Sequence, residues 1–317
     1  MSHEFVFAIT VGTEPISEKA TCLVKSLRRL YPDAPILTYV TEAELPQLPD
    51  ATVDFFRANT TLRTGGFPRD DYPISAKLQA MALASDLFDF EYLAMVDADT
   101  VLLRPFDDFL DSSPGGDVYA KPVDLSGKWD TEADWQQVVS KTGFEMPRRR
   151  TVSTVDKRRI IPFYNAGVVI TTDPAFPAEW LDLTVSVYDS IEEGNPVFSD
   201  QIALGLLAQR YDLVELTDLE NYPLHLYPTL SPDTVLVHYH DYASLTKVRD
   251  EDVLAILEDI GLAEKIPDRA RAVSRVYEPA YSDEDSLPNE IATVLKQEEL
   301  PTIIRGVGDK LSTALKR

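Results

Sequence analysis

Cysteine is almost missing from this chain: Cys22 is the only one in 317 residues. A lone thiol excludes an intrachain disulfide framework, which fits a reducing compartment. Basic residues are also scarce, with 30 Lys and Arg against 53 Asp and Glu and a net charge of -23. The acidic groups run along the whole chain, so its surface repels phosphate backbones, which disfavours non-specific nucleic-acid binding, and no nucleic-acid partner is expected. Such a surface suits a protein that stays soluble at high salt. No apolar run approaches the roughly 20 residues that a membrane-spanning helix needs. The first four residues carry no basic region ahead of an apolar one, so no signal peptide is expected. These absences together predict a cytoplasmic protein.

What is present argues for a large folded core. Hydrophobic residues make up 44% of the chain, with 14 Tyr, 13 Phe and 3 Trp to pack. Strand-like and helix-like stretches alternate over the first two-thirds. Residues 5–11 are a nearly continuous apolar run of strand length, and 18–30 carry Leu23, Leu27 and Leu30 at helical spacing. Strands are expected at 35–40, 53–56 and 92–96, with a helix over 74–88. Further on, 101–103, 117–120, 160–171, 214–216 and 235–237 read as strands, and 106–110, 132–139, 180–191 and 201–207 as helices. This order predicts an α/β fold with a mostly parallel central sheet covered on both faces. Beyond Arg249 the sequence turns helical and charged. The expected division is a catalytic-type domain over 1–248 and a helical extension over 249–317.

The most informative stretch is Met95-Val96-Asp97-Ala98-Asp99-Thr100. In extended chain, residues two apart point to one side, so Asp97 and Asp99 can reach one site. Two carboxylates at the carboxyl end of a strand suit a hard divalent cation. That edge is where open parallel sheets bind ligands. Two enzyme classes share this spelling. One transfers sugars; the other is the haloacid-dehalogenase type of phosphatase, for which Asp97 would be the nucleophile in D-x-D-x-[TV]-[LV]. Position favours the first, because the phosphatase motif ends the first strand of its domain and about three strands precede Asp97 here. A non-catalytic sugar- or cation-binding module on the same fold is the third reading.

Further segments occur in a telling order: Ser75-Ala76-Lys77-Leu78, Phe106-Asp107-Asp108-Phe109, Phe163-Tyr164-Asn165-Ala166-Gly167-Val168, Ser199-Asp200-Gln201, and Val237-His238-Tyr239. Taken with the acidic pair, this order resembles glycosyltransferase family eight, which includes glycogenin and bacterial galactosyltransferases of lipopolysaccharide synthesis. The resemblance runs from Phe5 to about Lys247. It implies a GT-A fold, a nucleoside-diphosphate sugar donor (usually a UDP-sugar), Mn²⁺ or Mg²⁺, and retention at the anomeric carbon. It also implies Asp97, Asp99 and His238 as metal ligands, and Lys77, Asp97, Asn165 and Lys247 as contacts to the nucleotide sugar. Asp200 and Gln201 fall beside the transferred sugar, as nucleophile or as stabilisers of an oxocarbenium-like state. The family's Lys-Pro-Trp after the histidine is absent here. His238 is followed by Tyr239-His240-Asp241-Tyr242, so His240 stands as an alternative ligand.

Such a cation would act as a Lewis acid on the departing diphosphate. An imidazole among its ligands would tilt preference from Mg²⁺ towards Mn²⁺. Two further features are left over. Arg148, Arg149, Arg150, Lys157, Arg158 and Arg159 form a basic island in an acidic chain, suited to a phosphorylated acceptor or the diphosphate. Residues 301–317 mix Ile303, Ile304, Val307, Leu311 and Leu315 with Arg305, Lys310, Lys316 and Arg317. They read either as an interfacial amphipathic helix, giving peripheral contact with the inner membrane face near a lipid-linked acceptor, or as a helix packed on the domain.

Overall fold

The structure is a computed structural model that describes residues 3–127, 129, 131–191 and 196–267. It opens with β1 (His3–Thr10), α1 (Ile16–Leu30), β2 (Ile36–Thr41), α2 (Asp50–Asn59) and β3 (Thr61–Gly65). Next come α3 (Ser75–Leu87), β4 (Phe90–Val96), β5 (Thr100–Leu102), α4 (Asp107–Ser112) and β6 (Val118–Pro122). Then follow α5 (Glu132–Thr142), β7 (Thr151–Val152), β8 (Arg159–Ile160), β9 (Tyr164–Thr171), α6 (Phe176–Ser190) and α7 (Ser199–Leu207). The last are β10 (Leu213–Glu215), β11 (Tyr222–Pro223), β12 (Leu236–His238) and α8 (Glu251–Asp259).

Seven strands form the main sheet in the order β10-β6-β9-β4-β1-β2-β3. All neighbours are parallel except β9, which runs antiparallel between β4 and β6. The apolar runs are continuous because both faces are covered. Val6 and Ala8 of β1, with Leu93 and Met95 of β4, face a core that includes Leu78 and Met81 of α3 and Trp180 of α6. Phe5, Phe7, Ile9, Ala94 and Val96 point to the other face, against Leu23 and Leu27 of α1 and Phe56 of α2. The period of two therefore divides each strand between two layers of helices.

One expected strand is a helix. Residues 53–56 lie in α2, where the buried side chains are Val53 and Phe56. Their spacing of three is the helical one, and four residues are too few to separate the two periods by eye. The third parallel strand is instead the more polar β3 at the sheet edge.

Two topological facts place the site. Because β9 is antiparallel to β4, with Val96 opposite Val168, the start of β9 lies at the carboxyl end of β4. A small second sheet, β11-β12-β5, pairs β12 antiparallel to β5 with His238 opposite Thr100. Asp97 and Asp99 fill the short connection between β4 and β5. A chain segment nearly 140 residues downstream is thereby brought against the acidic pair.

Described residues beyond 248 pack against the domain. Leu257, Ile260 and Leu262 share a buried cluster with Cys22, Val101, Val237 and Tyr239. The amphipathic tail expected at 301–317 lies outside the described residues. Among the described residues, no helix is long and apolar enough to cross a membrane.

Candidate active site

The acidic pair stands at the carboxyl edge of the sheet, as its spelling predicts. Asp97 donates its backbone N–H to the Gly167 carbonyl at 2.8 Å, and Thr100 returns its hydroxyl to the Asp97 carbonyl at 2.8 Å. The connection is thus tied to β9 on one side and to itself on the other. The two carboxylates diverge in what they meet. Asp97 Oδ1 faces the Lys77 ammonium at 3.4 Å, while Asp99 faces two imidazoles.

Lys77 lies in the first turn of α3 and reaches three partners: Asp97, Asp200 Oδ2 at 3.0 Å, and the Ala166 carbonyl at 2.9 Å. Burial works against its charge, but Asp97 and Asp200 outweigh burial and raise its pKa. For Asp97, burial raises the carboxyl pKa, and Asp99 adds to that while Lys77 opposes it. For Asp99, burial is outweighed by His238, which holds the carboxyl well below the ordinary range.

On the other side, His238 Nε2 stands 3.2 Å from Asp99 Oδ1, and His240 Nδ1 is 3.9 Å from Asp99 Oδ2. Both imidazoles between which the sequence left a choice are therefore at the site. The second nitrogen of His238, Nδ1, lies 3.1 Å from Asn221 Oδ1. An amide oxygen only accepts, so Nδ1 carries a proton, and Nε2 is left facing the Asp99 carboxylate. Asn221 is in turn fixed by its Nδ2, which donates to Asn165 Oδ1 at 3.0 Å. Asn165 Oδ1 also accepts from the Gly167 backbone N–H at 2.8 Å.

Gly167 explains how a histidine fits there. A β-carbon at this position would lie 2.5 Å from His238 Cε1 and 2.8 Å from Nδ1. The glycine inside β9 thus admits an imidazole, a close approach by another chain segment of the kind glycine permits in a strand.

The residues fit a divalent cation. Asp99, His238 and His240 offer ligand atoms that all lie within 4.8 Å of one another. His238 aims Nε2 into this set while Nδ1 is oriented by an amide, the outer hydrogen bond that metal-bound imidazoles commonly make. Asp97 lies beside this set but is turned to Lys77.

Asp200 and Gln201 open α7. Asp200 is 2% exposed and accepts from the Tyr72 hydroxyl at 3.3 Å and the Gln201 backbone N–H at 2.9 Å, besides pairing with Lys77. The half-buried Gln201 side chain makes no hydrogen bond to the described residues. Lys247 departs from its expected place at the phosphates. Its ammonium donates to the carbonyls of Leu224 at 2.9 Å and His225 at 2.8 Å, because the short helical turn at Ser244–Lys247 directs it back onto that loop. Burial lowers its pKa to about 8.

Four members of the basic island are paired with acidic side chains. Arg148, Arg149, Arg150 and Arg158 stand against Glu145, Glu215, Glu132 and Asp156, at 3.3 to 3.7 Å.

The sequence reading missed Lys19, Asn221 and His225. Lys19 had a signal: it lies four residues before Leu23 and eight before Leu27, on the buried stripe of α1. A charge in that stripe is 7% exposed and donates to the His240 carbonyl. Asn221 and His225 carried none, since their loop has no motif.

Residues 7–212 match the Rhodobacterales glycosyltransferase domain family. The chain belongs to that family. Its fold is GT-A, and it is a glycosyltransferase, so the phosphatase and binding-module readings of Asp97-Ala98-Asp99 fall away. Among solved structures, an active-site mutant of LgtC matches with a TM-score of 0.51 at 14% identity, over 84% of this chain and 99% of that chain. A second LgtC structure, of the galactosyltransferase with donor and acceptor sugar analogues, matches with a TM-score of 0.49 at 14% identity, over 84% and 99% of the two chains. GlyE of Streptococcus pneumoniae TIGR4 matches with a TM-score of 0.44 at 16% identity, over 75% of this glycosyltransferase and 55% of GlyE. This chain thus spans about half of GlyE. No curated protein matches the sequence.

Proposed function

We propose that this glycosyltransferase moves a sugar from a UDP-sugar to a glycan or lipid-linked acceptor, with a divalent cation and with retention at the anomeric carbon, as a relative of family eight. The observation that carries the reading is the meeting of Asp99 with His238 and His240 at the carboxyl edge of the sheet, with Asp97 beside them and turned to Lys77. The edge location, the proton on His238 Nδ1 and the cradle at Gly167 all support it.

Asp97, Asp99 and His238 hold the cation, which when bound supplies Lewis-acid stabilisation to the leaving diphosphate. Lys77 places a buried, fixed positive charge one carboxylate away from that position. In a water-poor site such a charge stabilises developing negative charge more than it would in water. Asp200 keeps Lys77 aimed and charged, so it acts through the lysine. Gln201, with its amide uncommitted, meets the transferred sugar. Asn165 has its Oδ1 occupied twice, which leaves its Nδ2–H to donate to a sugar or diphosphate oxygen.

A screen of sugar nucleotides for metal-dependent hydrolysis in the absence of acceptor tests this function. One or more UDP-sugars should be turned over with Mn²⁺ and not after chelation. Hydrolysis unaffected by chelation, or no UDP binding with any divalent ion, would overturn it.

A further inference from the structure

The site holds more nitrogen than its three assigned metal ligands use. Asp99 has an imidazole on each oxygen: His238 Nε2 at 3.2 Å from Oδ1 and His240 Nδ1 at 3.9 Å from Oδ2. The ligand atoms of Asp99, His238 and His240 lie within 4.8 Å of one another, close to the spread that metal–ligand bonds of about 2.1 Å allow.

His240 is held in this place by the backbone and by its neighbours. Its φ is 57°, the left-handed region, which costs a non-glycine residue about 1 kcal/mol or more and persists only when the surroundings impose it. The surroundings are specific. The buried Lys19 ammonium donates to the His240 carbonyl and lies 5.5 and 5.6 Å from the ring centroids of Tyr239 and Tyr242. The His240 ring stacks on His238 at 4.0 Å and meets the edge of His225 at 4.1 Å. A buried cation, two aromatic rings and a strained backbone angle converge to point one imidazole at one carboxylate.

We propose that His240 is a further ligand of the cation, beside Asp97, Asp99 and His238, and that Lys19 is the positioning residue that holds it there. This rests on the metal-dependent reading above and makes it more specific. Two imidazoles with the Asp97 and Asp99 carboxylates would hold the cation and leave it room for diphosphate oxygens. Such a nitrogen-rich set favours Mn²⁺, and Co²⁺ above it, over Mg²⁺, which prefers oxygen ligands.

The decisive measurement is pulsed electron paramagnetic resonance of Mn²⁺ bound to the full chain with UDP, which counts the imidazole nitrogens coupled to the ion. Two are expected in the wild type and one in His240→Ala. Titration of Mn²⁺ and Mg²⁺ against the same proteins should show the Mn²⁺ to Mg²⁺ affinity ratio falling about tenfold or more in His240→Ala, at least the loss seen when outer groups around a metal are removed. Lys19→Met should lower that ratio in the wild-type background and do nothing in the His240→Ala background, while Lys19→Arg keeps most of it. One coupled imidazole in the wild type overturns the assignment of His240 yet leaves metal-dependent transfer standing. No binding of Mn²⁺ in the presence of UDP overturns both. The spectrum of the wild type decides the matter even if a variant fails to fold.

Discussion

Lys77 and Asp200 form a buried ion pair across two helix starts, with Nζ 3.0 Å from Oδ2 and Asp200 2% exposed. The lysine also faces Asp97, so one cation serves two carboxylates from different parts of the chain. Removing a partner from a buried pair leaves an uncompensated charge, which costs about 3–5 kcal/mol. Lys77→Met should therefore lower the melting temperature and reduce kcat by roughly 10²–10³-fold, the scale of losing one fixed transition-state charge. Calorimetry and initial rates check both. Asp200→Asn should cost less stability, because an amide keeps the Tyr72 contact. A Lys77→Met variant with unchanged kcat would remove the lysine from the chemistry.

Gly167 separates site geometry from folding. A β-carbon there would meet His238 at 2.5 Å, so Gly167→Ala must push the imidazole off Asp99. The expected result is a loss of Mn²⁺ affinity of about tenfold or more, with far-ultraviolet circular dichroism unchanged. Undiminished Mn²⁺ binding by a folded Gly167→Ala protein would contradict the cradle.

Gly205, in α7, provides the complementary case. A β-carbon there would lie 2.0 Å from the Pro162 carbonyl oxygen and 2.8 Å from Trp135. Backbone does not yield easily, so Gly205→Ala should destabilise by about 1–3 kcal/mol or more through overpacking. Denaturant unfolding gives the value. A midpoint equal to wild type would show that α7 can shift from the strand it covers.

The burial of Lys247 predicts a pH effect with a definite sign. Its folded pKa is about 8, below its ordinary value of 10.5, with burial as the cause and Asp241 opposing. Between those values the unfolded chain holds more protons than the folded one, so this group's contribution to stability rises with pH across that window. Below pH 8 both states are protonated and the contribution is flat at its least favourable. The stability of wild type relative to Lys247→Met should therefore improve from pH 8 to 10, as read by urea unfolding at each pH. A constant difference would mean that the two carbonyl bonds keep the ammonium charged throughout.

Metal removal is the broadest check on the reaction. Chelation should abolish transfer, and Mn²⁺ should restore it in both wild type and Arg148→Ala. Arg148 pairs with Glu145 at the surface, 91% exposed, and lies outside the proposed chemistry.

The local signals were legible because they depend on nearby residues. The apolar runs of β1 and β4, the helical spacing of α1 and α3, and the acidic pair at the end of β4 follow from periodicity and turn chemistry within a dozen residues. The short run at 53–56 was misread for the same reason, since four residues do not fix a period. What the sequence by itself determined is an alternating α/β chain with two carboxylates at a strand end, and by family resemblance a histidine to join them. Only the tertiary structure decided that Asp97 turns to Lys77 while Asp99 turns to His238 and His240, that Lys247 is drawn to the carbonyls of Leu224 and His225, and that Lys19 stands behind His240. Those choices depend on the antiparallel insertion of β9 and on the pairing of β12 with β5. Non-local pairings of this kind are set by packing across more than a hundred residues, and no local period records them.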